Sequence, residues 1–132
     1  MRRASLAAGA VAAVFLAGCG GPAGDLIALE VSGGPVKGTE HIVVIEDGRA
    51  RCNAGPLEEI PNDRLLDARD VERKLKPLAE SGASYPAPGA DRRHYVARTK
   101  DGAVRWSEGP QGAPAVIGKA TLLALELQRQ VC

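Results

Sequence analysis

The stretch HIVVIEDGRARC, residues 41–52, decides the fold of this chain. Its first five residues are rich in β-branched side chains, which favour extended strands. Asp47 and Gly48 follow as a pair that is typical of a tight turn between antiparallel strands. Residues 49–52 then predict a short returning strand, so we expect a β-hairpin that ends at Cys52.

Residues 26–31 predict a third strand on the N-terminal side of this hairpin. The alternation of side chains places Ile27, Leu29 and Val31 on one face. A glycine-containing loop over residues 32–38 joins this strand to the next one. We therefore expect an antiparallel meander of three strands.

A helix is predicted over residues 65–81. Apolar residues recur at helical spacing from Val71 to Leu78, and Gly82 stands where a C-terminal cap is expected. Pro77 lies inside this segment, and proline removes a helical hydrogen bond and clashes with the preceding turn. The helix is therefore expected to kink at Pro77, or to end there and restart.

The clearest hairpin in the chain joins residues 94–99 to residues 103–107 through Lys100-Asp101-Gly102. A final helix is predicted over residues 115–131, because its apolar residues form one stripe at helical spacing. The members of this stripe are Val116, Ala120, Leu123 and Leu127.

These segments predict a single small α+β domain over residues 26–132. We expect an antiparallel sheet of four to five strands with two helices packed on one face, in the order three strands, helix, two strands, helix. The other face of the sheet should be largely solvated.

The N-terminal residues have the outline of an export signal. Met1, Arg2 and Arg3 are followed by an apolar run that is too short to span a bilayer. The run ends in Leu16-Ala17-Gly18-Cys19, which resembles the lipobox of bacterial lipoproteins at every position. That resemblance implies a signal peptide over residues 1–18, cleavage after Gly18 and a diacylglycerol thioether on Cys19. The alternative is an ordinary secretory signal with an incidental cysteine.

A lipidated Cys19 places the protein on the extracytoplasmic side of the cell membrane or the outer membrane. Residues 19–25 are then the lipidated cysteine and a short tether, and two acyl chains or more hold a protein stably at a bilayer. The membrane, reached through the lipid, is thus the first expected partner, and a protein of the envelope is the second.

Two cysteines, Cys52 and Cys132, remain once Cys19 carries lipid. Disulfides persist in exported domains, so we predict that they pair. Two separate buried thiols are the alternative. We expect no metal and no cofactor, because two isolated cysteines and two scattered histidines lack paired ligand spacing.

The charge balance gives no indication of nucleic-acid binding. Without Arg2 and Arg3, 15 basic residues face 16 acidic ones. Arg92-Arg93-His94 is the one compact basic cluster, and it either contacts anionic headgroups or guards a solvated strand edge.

Motifs for catalysis are weak. The glycines of residues 33–39 lack the lysine and the following helix of a phosphate-binding loop. His41 and His94 have no serine in a nucleophile-elbow setting, and the Glu58-Glu59 pair lacks the aromatic platforms of a glycosidase site. We therefore expect a protein that is not an enzyme.

The exposed loops are the candidate binding elements. The first consists of Gly33, Gly34, Pro35, Val36 and Lys37, and the second spans residues 84–91. We expect a non-catalytic binding module at the membrane surface.

The order of elements after Ser32-Gly33-Gly34 resembles that of the emfourin-type proteins, small inhibitors of thermolysin-like metallopeptidases. Pro35-Val36 stands where those proteins tend to carry an aromatic residue, and no inhibitory residue is carried over. The resemblance implies an alternative function, inhibition of a thermolysin-like metallopeptidase. A small envelope enzyme is a third alternative, which would need a pocket that holds His41 or His94 beside a carboxylate.

Overall fold

The structure is a computed structural model that describes residues 23–89 and 91–132. Cys19 and the predicted signal peptide lie outside these residues. The described chain forms seven strands and two helices in one α+β unit: β1 (Asp25–Gly33), β2 (Thr39–Ile45), β3 (Arg49–Cys52), β4 (Glu58–Glu59), α1 (Asn62–Ser81), β5 (Ser84–Tyr85), β6 (Arg93–Thr99), β7 (Gly102–Ser107) and α2 (Ala115–Val131).

The strands form one sheet in the order β4-β3-β2-β1-β6-β7-β5. The five longer strands pair antiparallel, as predicted, and β1 lies at the centre. The prediction of four to five antiparallel strands is wrong at the two edges. β4 and β5 are two residues each, too short to give a periodic signal, and β5 pairs parallel with β7, so the sheet is mixed.

One face of the sheet is buried by both helices. Alternate residues of the strands are buried, including Leu29, Val44 and Val104, and they form one core with the inner sides of the helices. α1 lies over β7, β6 and β1, and α2 lies over β2 and β3. The two-helix layer on one face is thus as predicted.

Helix α1 begins at Asn62 and runs as one helix to Ser81 with Pro77 inside it, so it does not end and restart at the proline. Pro77 is exposed, which keeps its ring on the solvent side of the helix. Gly82 caps the C-terminus at φ 63°, a left-handed conformation that glycine adopts without steric cost.

Within residues 23–89 and 91–132, no helix lies over the opposite face of the sheet, which we call the open face. Its side chains come from the alternate positions of the longer strands, such as Glu30, Val43 and Arg98, and they are half-buried or exposed. The expectation of a largely solvated second face is in line with these positions. Neither helix among the described residues has the length and apolarity needed to cross a bilayer.

Candidate functional site

Three loops meet at one end of the sheet. The antiparallel register places Gly33, Arg93 and Ser107 at the same end of β1, β6 and β7. The connections that leave these strands are residues 34–38, 86–92 and 108–114, of which Ala90 is not described. We call this set the loop end. Asp25, where the chain enters β1, lies at the other end of the sheet.

The glycine loop predicted as a partner-binding element has a fixed shape. Gly33 and Gly34 have φ angles of 75° and 55°, and the N–H of Val36 donates to the carbonyl of Gly33 at 3.1 Å. A Cβ on Gly33 would lie 2.4 Å from the carbonyl oxygen of Arg92, so only glycine fits there. Val36 packs against the core, whereas Pro35 and Lys37 are exposed. The exposed pair can therefore contact another molecule.

Arg92 joins the loop of residues 86–92 to the loop of residues 108–114 through hydrogen bonds. Its Nε donates to the carbonyl of Pro88 at 2.6 Å, and its Nη1 donates to the carbonyl of Glu108 at 2.8 Å. These are charge-assisted hydrogen bonds, which are stronger than neutral ones. The sequence showed a basic cluster here but gave no signal that Arg92 joins two loops.

The basic cluster at residues 92–94 does not guard a strand edge. β6 lies inside the sheet, between β1 and β7, so that interpretation is wrong. The backbone and side chain of Arg93 both approach the carboxylate of Glu108, at 3.3 and 3.5 Å. His94 points to the open face instead. Arg92 and Arg93 thus both contact Glu108, whereas His94 does not.

The two histidines lie on different strands of the open face, and both are exposed. His41 Nδ1 is 3.4 Å from Oε1 of Glu30, its cross-strand neighbour. His94 Nδ1 is 3.0 Å from Oγ of Ser107. Ser107 is only 5% exposed, so its hydroxyl is poorly placed to attack a substrate. The sequence missed both contacts, since each depends on strand register.

Cys52 and Cys132 form a disulfide with a Cα separation of 5.2 Å, as predicted from the cysteine count. The alternative of two separate thiols is wrong. The carboxylate of Glu40 lies beside the bond, within 4.8 Å of both sulfur atoms, and accepts a hydrogen bond from Nε2 of Gln128 at 2.7 Å. Because the two sulfur atoms are bonded to each other, Glu40 is the only one of these three side chains that keeps its usual capacity to bind a metal ion.

A groove of about 230 Å³ lies between the two helices. Leu122, 57% exposed, lies at its rim, and Asp70 and Lys119 line its polar side. The hydrogen bond from Lys74, aided by the charges of Arg73 and Lys119, holds the pKa of Asp70 below its ordinary value. The charged side chains of this groove are already in ion pairs, Asp70 with Lys119 and the two other acids with Arg64, so it offers little to a charged ligand.

No known protein family, curated protein or solved structure matches this chain. Its function therefore has to be inferred from the residues and their arrangement.

Proposed function

We propose that the protein is an extracytoplasmic bacterial lipoprotein, anchored through Cys19, whose loop end binds a protein of the cell envelope. The observation that carries this proposal is the position of the loop end, at the opposite end of the central strand from Asp25, where the tether joins. The binding function is non-catalytic.

The anchor rests on the Leu16-Ala17-Gly18-Cys19 motif and on the short connection that follows it. Asp25 lies six positions after Cys19, and a fully extended chain of that length spans about 20 Å. The folded domain would therefore stay close to the bilayer. β1 is nine residues long, so the loop end lies roughly 30 Å from the point of attachment, within reach of a neighbouring envelope protein.

The binding role of the loop end rests on its rigidity and exposure. The Gly33–Val36 turn gives the first loop a defined shape, and the two hydrogen bonds of Arg92 join the second loop to the third before any partner arrives. A preformed surface loses less conformational entropy on binding than a flexible one. Pro35 and Lys37 are the side chains that such a surface would present.

The anchor is tested by the intact mass of the protein extracted from membranes, with Cys19→Ser as the matched variant. We expect a chain that begins at Cys19 and carries lipid, and a lipid-free mass for the variant, which should leave the membrane fraction. A wild-type chain without lipid would overturn the anchor.

The binding surface is tested by a photo-crosslinking residue placed in living cells at Lys37 and, as the control, at Lys76 on the exposed side of α1. We expect a discrete adduct from position 37 and none from position 76. The same adducts from both positions would contradict a partner site at the loop end.

The alternative of metallopeptidase inhibition has its own test. Residues 23–132 contain every described element and the disulfide, and would be added in molar excess to thermolysin. We expect unchanged proteolysis. Stoichiometric inhibition that is lost when Pro35 and Lys37 are both replaced by alanine would instead assign the loop end to a peptidase.

A further inference from the structure

The open face is rich in arginine. Arg51, Arg98 and Arg105 lie on β3, β6 and β7 and are exposed, and their cross-strand neighbours at open-face positions include Val43, Ala28 and Val96. Arg51 and Arg105 form no ion pair among the described residues, as the salt bridges there involve other side chains.

Few acids offset these arginines. Glu30 lies at the centre of the face, where it is 3.4 Å from His41 and 3.7 Å from Nε of Arg98. Asp25 lies at the edge where the chain enters, and Glu59 of β4 lies opposite a fourth arginine of this face, Arg49. Because the mature chain as a whole has one more acid than bases, this excess of positive charge is local to the open face.

Two shallow hollows on this side combine a cation with apolar surface. One, of about 370 Å³, is lined by Leu26, Ala28, Arg98, Lys100 and the acidic Asp25, among others. The other, of about 170 Å³, is lined by Arg105, Val96, His94 and Ser84, among others. Phosphate oxygens pair well with guanidinium groups, and the glycerol and first methylenes of a lipid prefer apolar contact. This mixture of groups is what a phospholipid headgroup region presents.

The tether can bring this face to the bilayer. The centre of the face at Glu30 is five residues along β1 from Asp25, or about 17 Å. The extended chain from Cys19 to Asp25, six positions long, spans a similar distance, about 20 Å. A domain held this close is exposed to the headgroups at high effective concentration, whereas a soluble anionic partner has to be captured from solution.

We propose that the open face docks on anionic phospholipid headgroups through Arg51, Arg98 and Arg105, so that the helices face away from the bilayer. This inference rests on the proposed lipid anchor. The loop end then points along the membrane plane, towards neighbouring envelope proteins.

The test uses an anchor that does not depend on Cys19. Residues 23–132 carry an N-terminal polyhistidine tag that binds nickel-chelating lipid in vesicles of equimolar phosphatidylglycerol and phosphatidylcholine. A fluorophore is attached at Val96→Cys on the open face or at Lys76→Cys on α1, and a headgroup spin label on the lipid quenches it by contact. Each added cysteine is the only free one, because Cys52 and Cys132 remain bonded.

We expect strong quenching at position 96 and weak quenching at position 76. Each arginine near an anionic surface should raise the ratio of docked to free orientations about fivefold. The variant R51Q/R98Q/R105Q should therefore reduce the docked-to-free ratio roughly 100-fold. The matched control R69Q/R73Q/R129Q removes the same charge from exposed helix positions and should leave quenching unchanged. Circular dichroism of each variant confirms that it is folded.

Equal quenching at positions 96 and 76 would overturn the proposal, and so would quenching at position 96 that is the same on pure phosphatidylcholine. An open face that meets an acidic protein partner instead would give no contact with lipid. Because the vesicle anchor is artificial, these outcomes are independent of the mass measurement on Cys19, and failure of the anchor and failure of the docking face are distinguished.

Discussion

The sulfur of Cys52, at the end of β3, is bonded to that of Cys132, which follows α2, across 80 positions of sequence. The bond ties the last helix to a strand near the edge of the sheet. Because α2 contacts β2 and β3, the disulfide fixes a packing contact that the helix would otherwise make by its apolar face alone.

We predict that loss of this disulfide strongly destabilises the domain. In the chain-entropy model, a bridge that closes a loop of this length contributes about 4.5 kcal/mol to the free energy of unfolding. The double variant C52S/C132S should therefore unfold at a much lower urea concentration, and reduction of the wild type should lower its midpoint to a similar value. Equal midpoints for oxidised and reduced wild type would contradict this prediction.

We predict that Thr121→Val destabilises the domain by about 1 to 3 kcal/mol, because it leaves a buried donor unpaired. Nε1 of Trp106 donates to Oγ1 of Thr121 at 2.8 Å, and Trp106 is 2% exposed. Thr121→Ser keeps the hydroxyl and is the matched control. Trp106 is the only tryptophan, so its fluorescence reports unfolding in denaturant. A loss in the serine variant as large as in the valine variant would show that the methyl group matters and the hydrogen bond does not.

Replacement by alanine should change the free energy of unfolding in opposite directions at two glycines. At Gly102, φ is 139° and a Cβ would lie 2.3 Å from the carbonyl oxygen of Ala79 in α1, so Gly102→Ala should lower the free energy of unfolding by at least about 1 to 3 kcal/mol. Gly118 lies in α2 with no atom within 4 Å of a Cβ. Gly118→Ala should therefore raise this free energy by up to about 1 kcal/mol. Thermal unfolding of both variants measures the contrast, and a midpoint of Gly102→Ala that is not lowered would contradict the packing of α1 on the β6–β7 turn.

The stability of the domain should fall at alkaline pH because of Tyr95. Burial raises the pKa of its hydroxyl above the ordinary value, although the charge of Arg93 opposes this in part. As pH rises above about 10, the unfolded chain loses this proton while the folded chain keeps it, so the free energy of unfolding decreases. Below that pH, the contribution of the protonated Tyr95 hydroxyl to the free energy of unfolding is fully present.

Tyr95→Phe should remove this alkaline loss. It should also cost little stability at neutral pH, because the hydroxyl of Tyr95 has no hydrogen-bond partner among the described residues. Tyr85→Phe keeps Tyr95 and serves as the control. Urea unfolding measured at neutral pH and above pH 10 checks the prediction, and an unchanged alkaline loss in the Tyr95 variant would assign it to other groups.

The longer elements could be predicted because their signals are local. The β-branched run of β2, the Asp47-Gly48 turn and the stripe of α2 each depend on neighbours within one or two turns of chain. β4 and β5 could not be predicted, because a strand of two residues shows no alternation of apolar and polar side chains. Each forms only by pairing with a strand that is already in place. Pro77 was expected to kink α1 or to end it, and its exposed position lets the helix continue without ending there.

For the candidate sites too, features that depend on neighbouring residues could be predicted and features that depend on distant segments could not. The glycine loop at residues 33–37 was evident from composition, but the role of Arg92 was not, because its partners Pro88 and Glu108 belong to two different loops. The presence of Arg51, Arg98 and Arg105 on one face could not be predicted either, since they lie on three strands separated along the chain.

The sequence by itself determined the alternation of the strands, the amphipathic helices, the α+β class and the pairing of Cys52 with Cys132. Each of these depends on local periodicity or on the number of cysteines left to pair. Only the tertiary structure decided the order of strands, the parallel edge strand, the loop end held by Arg92 and the arginines that share the open face. These features depend on which distant segments bury each other's apolar surface, and that free energy is not encoded in the spacing of neighbouring residues.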